Sequence, residues 1–536
     1  MQNAWVVLIP PLLVLTMSFF TGRIISSLLA GLVSAALILH DFSIYNASIT
    51  IITRLWQITE IANIRSFEAF SKSSNLFIFL YLISLAIIIM LIKHAGGTYS
   101  YLTLINKKIK TQKAVEISSF LCSFVFFIDE YLNIMTVGSV INELTDKFKI
   151  PRVKLAFLAN TTATALCILI PISSWGAFIL AQFNNMGISP NELLPTTKII
   201  STPFSLFIKA IPLNLYSFIM LPSILFIILA QVSYGRMRQH EIIANETGNL
   251  YGGKEKKIKR EEYKAPHPKK PSMFDFIFPL TLLISLCIIG LFFTNFVAAP
   301  ALFISGILTL LISTNFFLIR KKTKLAQIPI IIYEGLEFII PSLTVTILAW
   351  TFGKILTDDL LLGQYLASKL AAFITLSMLP VIFFISTAIT TLAICTAWGS
   401  MAIMFPIAIS LASTISKINF PVQINEILIM LPTIGAIMSG AIAGINMSPI
   451  SDINVIASSS TGVYHSDHIR TQQGYVIPVF ISTTIAYLFL GMFGADNIYI
   501  KSIISILLGI IISISVLKTR NMLNHKKYVN FPENKI

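Results

Sequence analysis

Two adjacent carboxylates, Asp129 and Glu130, stand in the stretch Phe126-Phe127-Ile128-Asp129-Glu130-Tyr131-Leu132-Asn133-Ile134-Met135-Thr136-Val137-Gly138. The run around them, from Ile117 to Ile141, is mostly apolar. A charge at bilayer depth costs about 2.5–3.5 kcal/mol on insertion scales, so acids kept there point to function. In a helix, Asp129, Asn133 and Thr136 fall at i, i+4 and i+7 and share one face. That face offers only oxygen and amide groups, a ligand set for a hard cation such as Na+ or for a proton, not for a transition metal. The other reading is a loop between two helices with the acids in water, although no Pro or Gly separates them from either flank. Neighbouring carboxylates suit a shared proton, for which sodium would compete at one site.

The composition places these acids in a membrane. Of 536 residues, 55% are hydrophobic and 12% charged, with a mean hydropathy of +0.81. Globular domains carry about a quarter charged residues, so the expected class is an all-α polytopic membrane protein whose first partner is the lipid bilayer. The net charge of +15 does not mark a nucleic-acid binder. Basic residues gather in short loops between apolar spans, and aromatic–basic interleaving is missing. Cys122, Cys167, Cys287 and Cys395 lie in apolar runs without CxxC spacing, which argues against a disulfide framework or a zinc site. The N-terminus lacks a basic n-region and a small-residue cleavage pattern, so Trp5–Phe20 reads as a retained first span.

The elements that must position the acids follow from the charge rule. Lys107, Lys108, Lys110 and Lys113 assign one loop to the cytoplasm, and Lys147, Lys149, Arg152 and Lys154 assign the next. Ile117–Ile141 then enters and leaves on one side, as a re-entrant hairpin with Asp129 and Glu130 near its tip. Leu155–Ile170 returns into the membrane and breaks at Pro171-Ile172-Ser173-Ser174-Trp175-Gly176 before continuing to Gln182. Arg236–Ser272 is expected as a basic, solvated cytoplasmic linker. Leu370–Leu411, interrupted at Thr396-Ala397-Trp398-Gly399-Ser400, forms a second hairpin opened to the outside. Ile427–Gly444 breaks at Ser448-Pro449-Ile450-Ser451-Asp452.

Each half thus carries a polar hairpin and a span broken at Pro-Ile-Ser. Inverted repeats with paired broken helices are the layout of secondary transporters, with the binding site between the repeats. The expected architecture is eleven spans plus two re-entrant hairpins, N-terminus outside and C-terminus inside. Its parts are an N-terminal half (1–235), the linker (236–272), a C-terminal half (273–517) and a cytoplasmic tail (518–536).

These residues resemble the NhaC-type sodium/proton antiporters, a family that also includes carriers of organic acids or amino acids. Phe127-Ile128-Asp129-Glu130-Tyr131-Leu132-Asn133 is similar to the family's F-x-D-D-Y-x-N, with Glu130 in place of the second Asp. Val137-Gly138-Ser139 and Asp146 continue it, and Pro171 to Ala177 match P-I-S-S-W-G-A. Ala349-Trp350, Thr396 to Ser400, Ser448 to Asp452 and His465 to Gln472 carry the resemblance through the second half. Two positions depart from it. Asn160-Thr161-Thr162 stands where the family has D-S-T, and Gly444-Ile445-Asn446-Met447-Ser448 where it has G-D-H-x-S.

The resemblance implies sodium/proton antiport by alternating access in the bacterial cytoplasmic membrane. The alternative is a sodium- or proton-coupled carrier of a small organic acid or amino acid. The expected cation and proton site comprises Asp129, Glu130, Asn133, Thr136, Asn160, Thr161, Thr162, Ser173, Ser174, Ser448, Ser451 and Asp452. Thr396, Trp398, Gly399, Ser400 and Asn446 are expected along the solute path, with Trp175 and Trp398 mainly packing the hairpins. His465, Asp467, His468 and Arg470 are expected at a cytoplasmic gate or in a solvated loop. No cofactor is expected beyond the transported Na+ and H+, and a homodimer is compatible with such a fold. His-Glu-x-x-His and the paired motifs of intramembrane aspartyl proteases do not occur, so an enzyme is not expected.

Overall fold

A computed structural model describes residues 4–21, 23–71, 73–97, 109–193, 197–255, 272–294, 297–362, 365–366, 369, 374–449, 451–492 and 497–529. Lys107, Lys108, residues 256–271 of the linker, the 370–373 start of the second expected hairpin and Ile450 lie outside the described residues. Regular structure is almost wholly helical. Three two-residue strands pair in parallel, β1 (Ile188–Ser189) with β2 (Ile199–Ile200) and β2 with β3 (Val422–Gln423).

Among the described residues, nine helices are long and apolar enough to cross a bilayer, or up to ten if the bent pair Pro203–Leu213 and Leu215–Leu229 is one span. Two of these nine, Leu376–Ile394 and Ala397–Ser416, are the arms of the second expected hairpin, so the count does not decide the expected eleven spans. The first two helices, α1 (Ile9–Thr21) and α2 (Ile24–Leu39), have 13 and 16 residues, short of the roughly 20 a span needs. The helix α3 (Asn75–His94) is apolar on every side and has 89% of its span window buried, so it runs through the centre of the bundle. Phe274–Phe293 and Ile498–Leu523 are equally apolar but 28% buried, which leaves most of their surface for lipid.

The first hairpin consists of α4 (Gln112–Val125) and α5 (Glu130–Val140). Gln112 at its start donates 2.8 Å to the Phe148 carbonyl just after its end, so the chain enters and leaves on one side. The broken span follows as α6 (Arg152–Cys167) and α7 (Ser174–Asn185). After α8 (Leu215–Leu229), the first stretch of the linker is folded rather than solvated: α9 (Gly235–Thr247) buries Met237, His240 and Ala244. Lys154, buried, makes ion pairs of 2.7 Å with Glu116 of α4 and 2.9 Å with Glu241 of α9. A lysine with two carboxylate partners tolerates burial, which is why this basic cluster is not simply solvent-facing.

In the second half, α10 (Ile328–Lys354) leads to α11 (Leu379–Ile394) and α12 (Ala397–Ser416), which meet at Cys395-Thr396. The second broken span is α13 (Met430–Met447) and α14 (Asp452–Thr461), followed by α15 (His465–Met492). Gly440 and Gly444, four residues apart on α13, let it lie directly on α11. A Cβ at either would strike the backbone carbonyl of Phe384 or Ala388.

Candidate functional site

The two Pro-Ile-Ser breaks are built alike. Ser173 caps α7 by accepting from Gly176 N at 3.0 Å, and its hydroxyl donates to Cys167 O six residues back at 2.7 Å. Ser451 caps α14 by accepting from Asn454 N at 3.4 Å and donates to Ile445 O, also six back, at 3.2 Å. A hydroxyl with these partners satisfies a helix start and a freed carbonyl together. Both serines therefore build the breaks rather than face a solute.

The adjacent acids part company at the start of α5. Asp129 is its N-cap, with Oδ1 accepting from Leu132 N at 3.0 Å. Glu130, the first residue of the helix, lines the central cavity and accepts from the Ser174 hydroxyl at 3.4 Å. The same hydroxyl also interacts with Asp129. Asn133 is turned back to the hairpin, donating 2.7 Å to Ser123 O, and Thr136 is buried.

Across the cavity, Asp452 begins α14, where its Oδ1 accepts from Ile453 N at 2.8 Å and its Oδ2 accepts from the Tyr131 hydroxyl. Asp452 is exposed, and it opens onto the cavity that it lines. That cavity measures about 460 Å³, and its wall includes Glu130, Tyr131, Trp175, Ser342, Trp398 and Asp452. Among the described residues, neither Asp129, Glu130 nor Asp452 makes an ion pair with a lysine, arginine or histidine. Asp129 and Glu130 are buried, and a buried carboxylate without a basic partner calls for a proton or a cation.

Other expected residues form a neutral cluster beside the cavity. Asn160 donates through Nδ2 to Asn454 Oδ1 and, at 3.0 Å, to Gln472 Oε1. Gln472 donates to Asn454 Oδ1 at 2.9 Å and to Asn446 O at 2.7 Å, while Thr164 donates 3.2 Å to Asn446 Oδ1. The Ser448 carbonyl accepts from Asn454 Nδ2 at 2.6 Å. Amides thus knit together the positions where the resembling family carries charge. Thr161 donates to the Phe157 carbonyl one turn earlier in α6 at 2.6 Å, and the buried Thr162 hydroxyl has no hydrogen-bond partner among the described residues.

In the second hairpin, Ser400 and Thr391 join hydroxyls at 2.5 Å across the tip. Thr396 and Trp398 line the cavity, and Gly399 packs so closely that a Cβ would crowd Thr396 Cγ2 at 2.7 Å. Trp175 and Trp398 both pack the hairpins and form cavity wall.

The expected gate residues divide. Asp467 pairs with Lys254 of the linker at 2.6 Å, and His465 bridges Pro449 O at 2.6 Å and Ser458 Oγ at 2.9 Å. His468 is wholly buried and Arg470 is exposed. Sequence reasoning missed Tyr131, Asn454, Gln472 and Ser342. A polar residue near a break, such as Asn454 three positions after the capping Ser451, was the available signal.

Helices broken at the membrane interior around a cavity with unpaired acids define a class, that of multi-span secondary transporters. The chain belongs to the Na+/H+ antiporter family, whose model matches residues 166–492. It is 26% identical over 510 residues, 91% of each chain, to an uncharacterized protein of Haemophilus influenzae. It is 28% identical over 234 residues, 42% of this chain and 45% of the other, to the malate-2H(+)/Na(+)-lactate antiporter of Bacillus subtilis. Among solved structures, the YdaH transporter of Alcanivorax borkumensis aligns with 87% of this chain and 88% of its own, with a TM-score of 0.45 and 12% identity. MtrF of Neisseria gonorrhoeae aligns over 82% and 80%, with a TM-score of 0.40 and 13% identity.

Proposed function

We propose that the chain exchanges Na+ for H+ by alternating access across the bacterial cytoplasmic membrane, the two ions competing for Glu130 and Asp452. One observation carries this reading: two carboxylates from opposite halves face one cavity without a basic partner among the described residues. Each empties of its proton only if another cation takes its place or the cavity is hydrated, which is the condition for exchange at one site. Tyr131 O–H and the cap of α5 hold the acids in position, and the matched breaks at Ser173 and Ser451 support a two-repeat frame that rocks about them.

A second reading has its own support. A cavity of about 460 Å³ exceeds what one cation fills and falls in the range of small-molecule sites, roughly 300–1,000 Å³. On this reading the cargo is a small organic acid or amino acid and a cation couples its movement, as the name of the Bacillus subtilis relative describes for that protein. Purified protein in liposomes separates the two. An imposed Na+ gradient alone should change lumenal pH, and Glu130→Gln or Asp452→Asn should abolish that change. A pH change that needs an organic solute gradient replaces the first reading with the second.

A further inference from the structure

The central cavity is not the only space along its helices. A smaller chamber of about 30 Å³ is lined by Gln182, Asn185, Lys198, Trp350, Lys354 and Asp358, beside the three-stranded sheet. The two spaces are walled by successive turns of the same three helices. On α7, Trp175 faces the cavity and Gln182 and Asn185 the chamber; on α10, Ser342 and Val345 face the cavity and Trp350 and Gly353 the chamber. On α12, Trp398 faces the cavity and Ala402 and Pro406 the chamber. At 1.5 Å per residue the two lie about 10 Å apart along the helix axes.

An aromatic layer fills the gap. Phe178, one turn above Trp175, is fully buried and stacks on Trp398 with centroids 4.9 Å apart and planes 20° apart. It also lies 5.7 Å from Trp350, which continues the layer to Phe79 at 5.5 Å. Beyond this layer the chamber is polar and unsatisfied: Gln182 Oε1, Asn185 Nδ2 and the Trp350 indole N–H are buried without hydrogen-bond partners. Lys198 and Asp358 at its rim stand 3.7 Å apart. Buried polar groups of this kind ordinarily hold water, and 30 Å³ has room for one or two water-sized occupants.

We infer that Phe178, Trp350 and Trp398 form the gate closing the central cavity toward the sheet, and that the chamber behind them is a hydrated station where a small ion passes between cavity and solvent. Stacked rings exclude water, yet they part without breaking a hydrogen bond, because the polar groups of the three rings, the Trp350 and Trp398 indole N–H, lack partners already. The broken span starts at the basic loop of Lys147, Lys149, Arg152 and Lys154 and ends at the sheet, so the positive-inside rule puts the sheet on the outer face. The inference rests on the cavity being the transport site, but not on which solute crosses.

Thiol labelling tests it independently of cargo. In a background without the native cysteines, Ala397→Cys places a thiol on the cavity side of the layer, and Met186→Cys one in the chamber. From outside intact cells, an impermeant maleimide should reach Cys at 186 and leave Cys at 397 nearly unlabelled. Adding Phe178→Ala should raise labelling at 397 at least about tenfold, and reconstituted Phe178→Ala should dissipate a cation gradient without coupled flux. Phe178→Leu, which keeps apolar volume but removes the ring, should give the same direction. A membrane-inserted Phe178→Ala or Phe178→Leu with unchanged labelling at 397 and unchanged coupling overturns the gate. Failure of both variants to insert also overturns it, since the rings would then be framework.

Discussion

Asp129 and Glu130 are neighbours in the chain, yet the helix start between them gives them different work. Asp129 satisfies the orphan N–H of Leu132, while Glu130 projects into the cavity opposite Asp452. Asn presents the same carbonyl oxygen to that N–H as Asp does, so Asp129→Asn should keep the cap, insert normally and retain most transport. Asp129→Ala removes the acceptor and should lower stability by about 1 kcal/mol, as N-cap losses do. Melting of the purified variants in detergent, with flux measured alongside, checks both. Loss of flux in a stable Asp129→Asn protein would return the coupling role to Asp129 and weaken the assignment to Glu130. The same reasoning separates Ser173 and Ser451, both engaged in helix breaks, from Ser174, whose hydroxyl lies between two carboxylates.

Among the elements, α9 and the turn after it tie the linker to the transport machinery. Lys254 grips Asp467 at the start of α15, and Arg152 N donates 3.1 Å to Leu250 O while its guanidinium reaches Thr461 O at 3.2 Å. Gly252 sits over the His240 ring, where any Cβ would collide with it. Burial pushes His240 below the usual imidazole value of 6.5; Asp467 opposes this, and Lys254 and Arg236 add to it. A base depressed in the docked state is neutral there and charged once released. Docking is therefore at full strength above pH 6.5 and weakens as pH falls below it. Hydrogen exchange of residues 248–255 should accelerate between about pH 7.5 and 5.5, beyond the intrinsic rate change, and His240→Gln should flatten that difference. Exchange that follows only the intrinsic rate in the parent protein would remove His240 from the docking energetics.

For the whole molecule, the arrangement predicts two faces. Cysteines at Asn249 and Thr357, in the background lacking the native four, should label from opposite sides of intact cells. Labelling from one side would sink the inverted-repeat frame, because the chamber lined by Thr357 and the linker turn holding Asn249 would then open to the same compartment. The frame gains support from the equal construction of the two breaks, each with a serine cap donating to a carbonyl six residues earlier.

What the amino-acid sequence settled by itself is what depends on near neighbours. Hydropathy over some 20 residues marks a span, and a proline followed by serines marks where a helix must stop. Both Pro-Ile-Ser breaks, the membrane class and the acids at the hairpin tip were therefore legible before any coordinates. The tertiary structure alone decided which acid sees the cavity and what stands opposite it. Tyr131 and Asp452 are 321 residues apart in the chain, and only folding brings them into hydrogen-bonding contact. The same holds for the amides Asn454 and Gln472 that close around Asn160, and for Phe178 stacked on Trp398. Local pattern is silent on such pairs, because the free energy of a polar group or a ring inside the bundle is set by the helix facing it, not by the residues beside it in the chain.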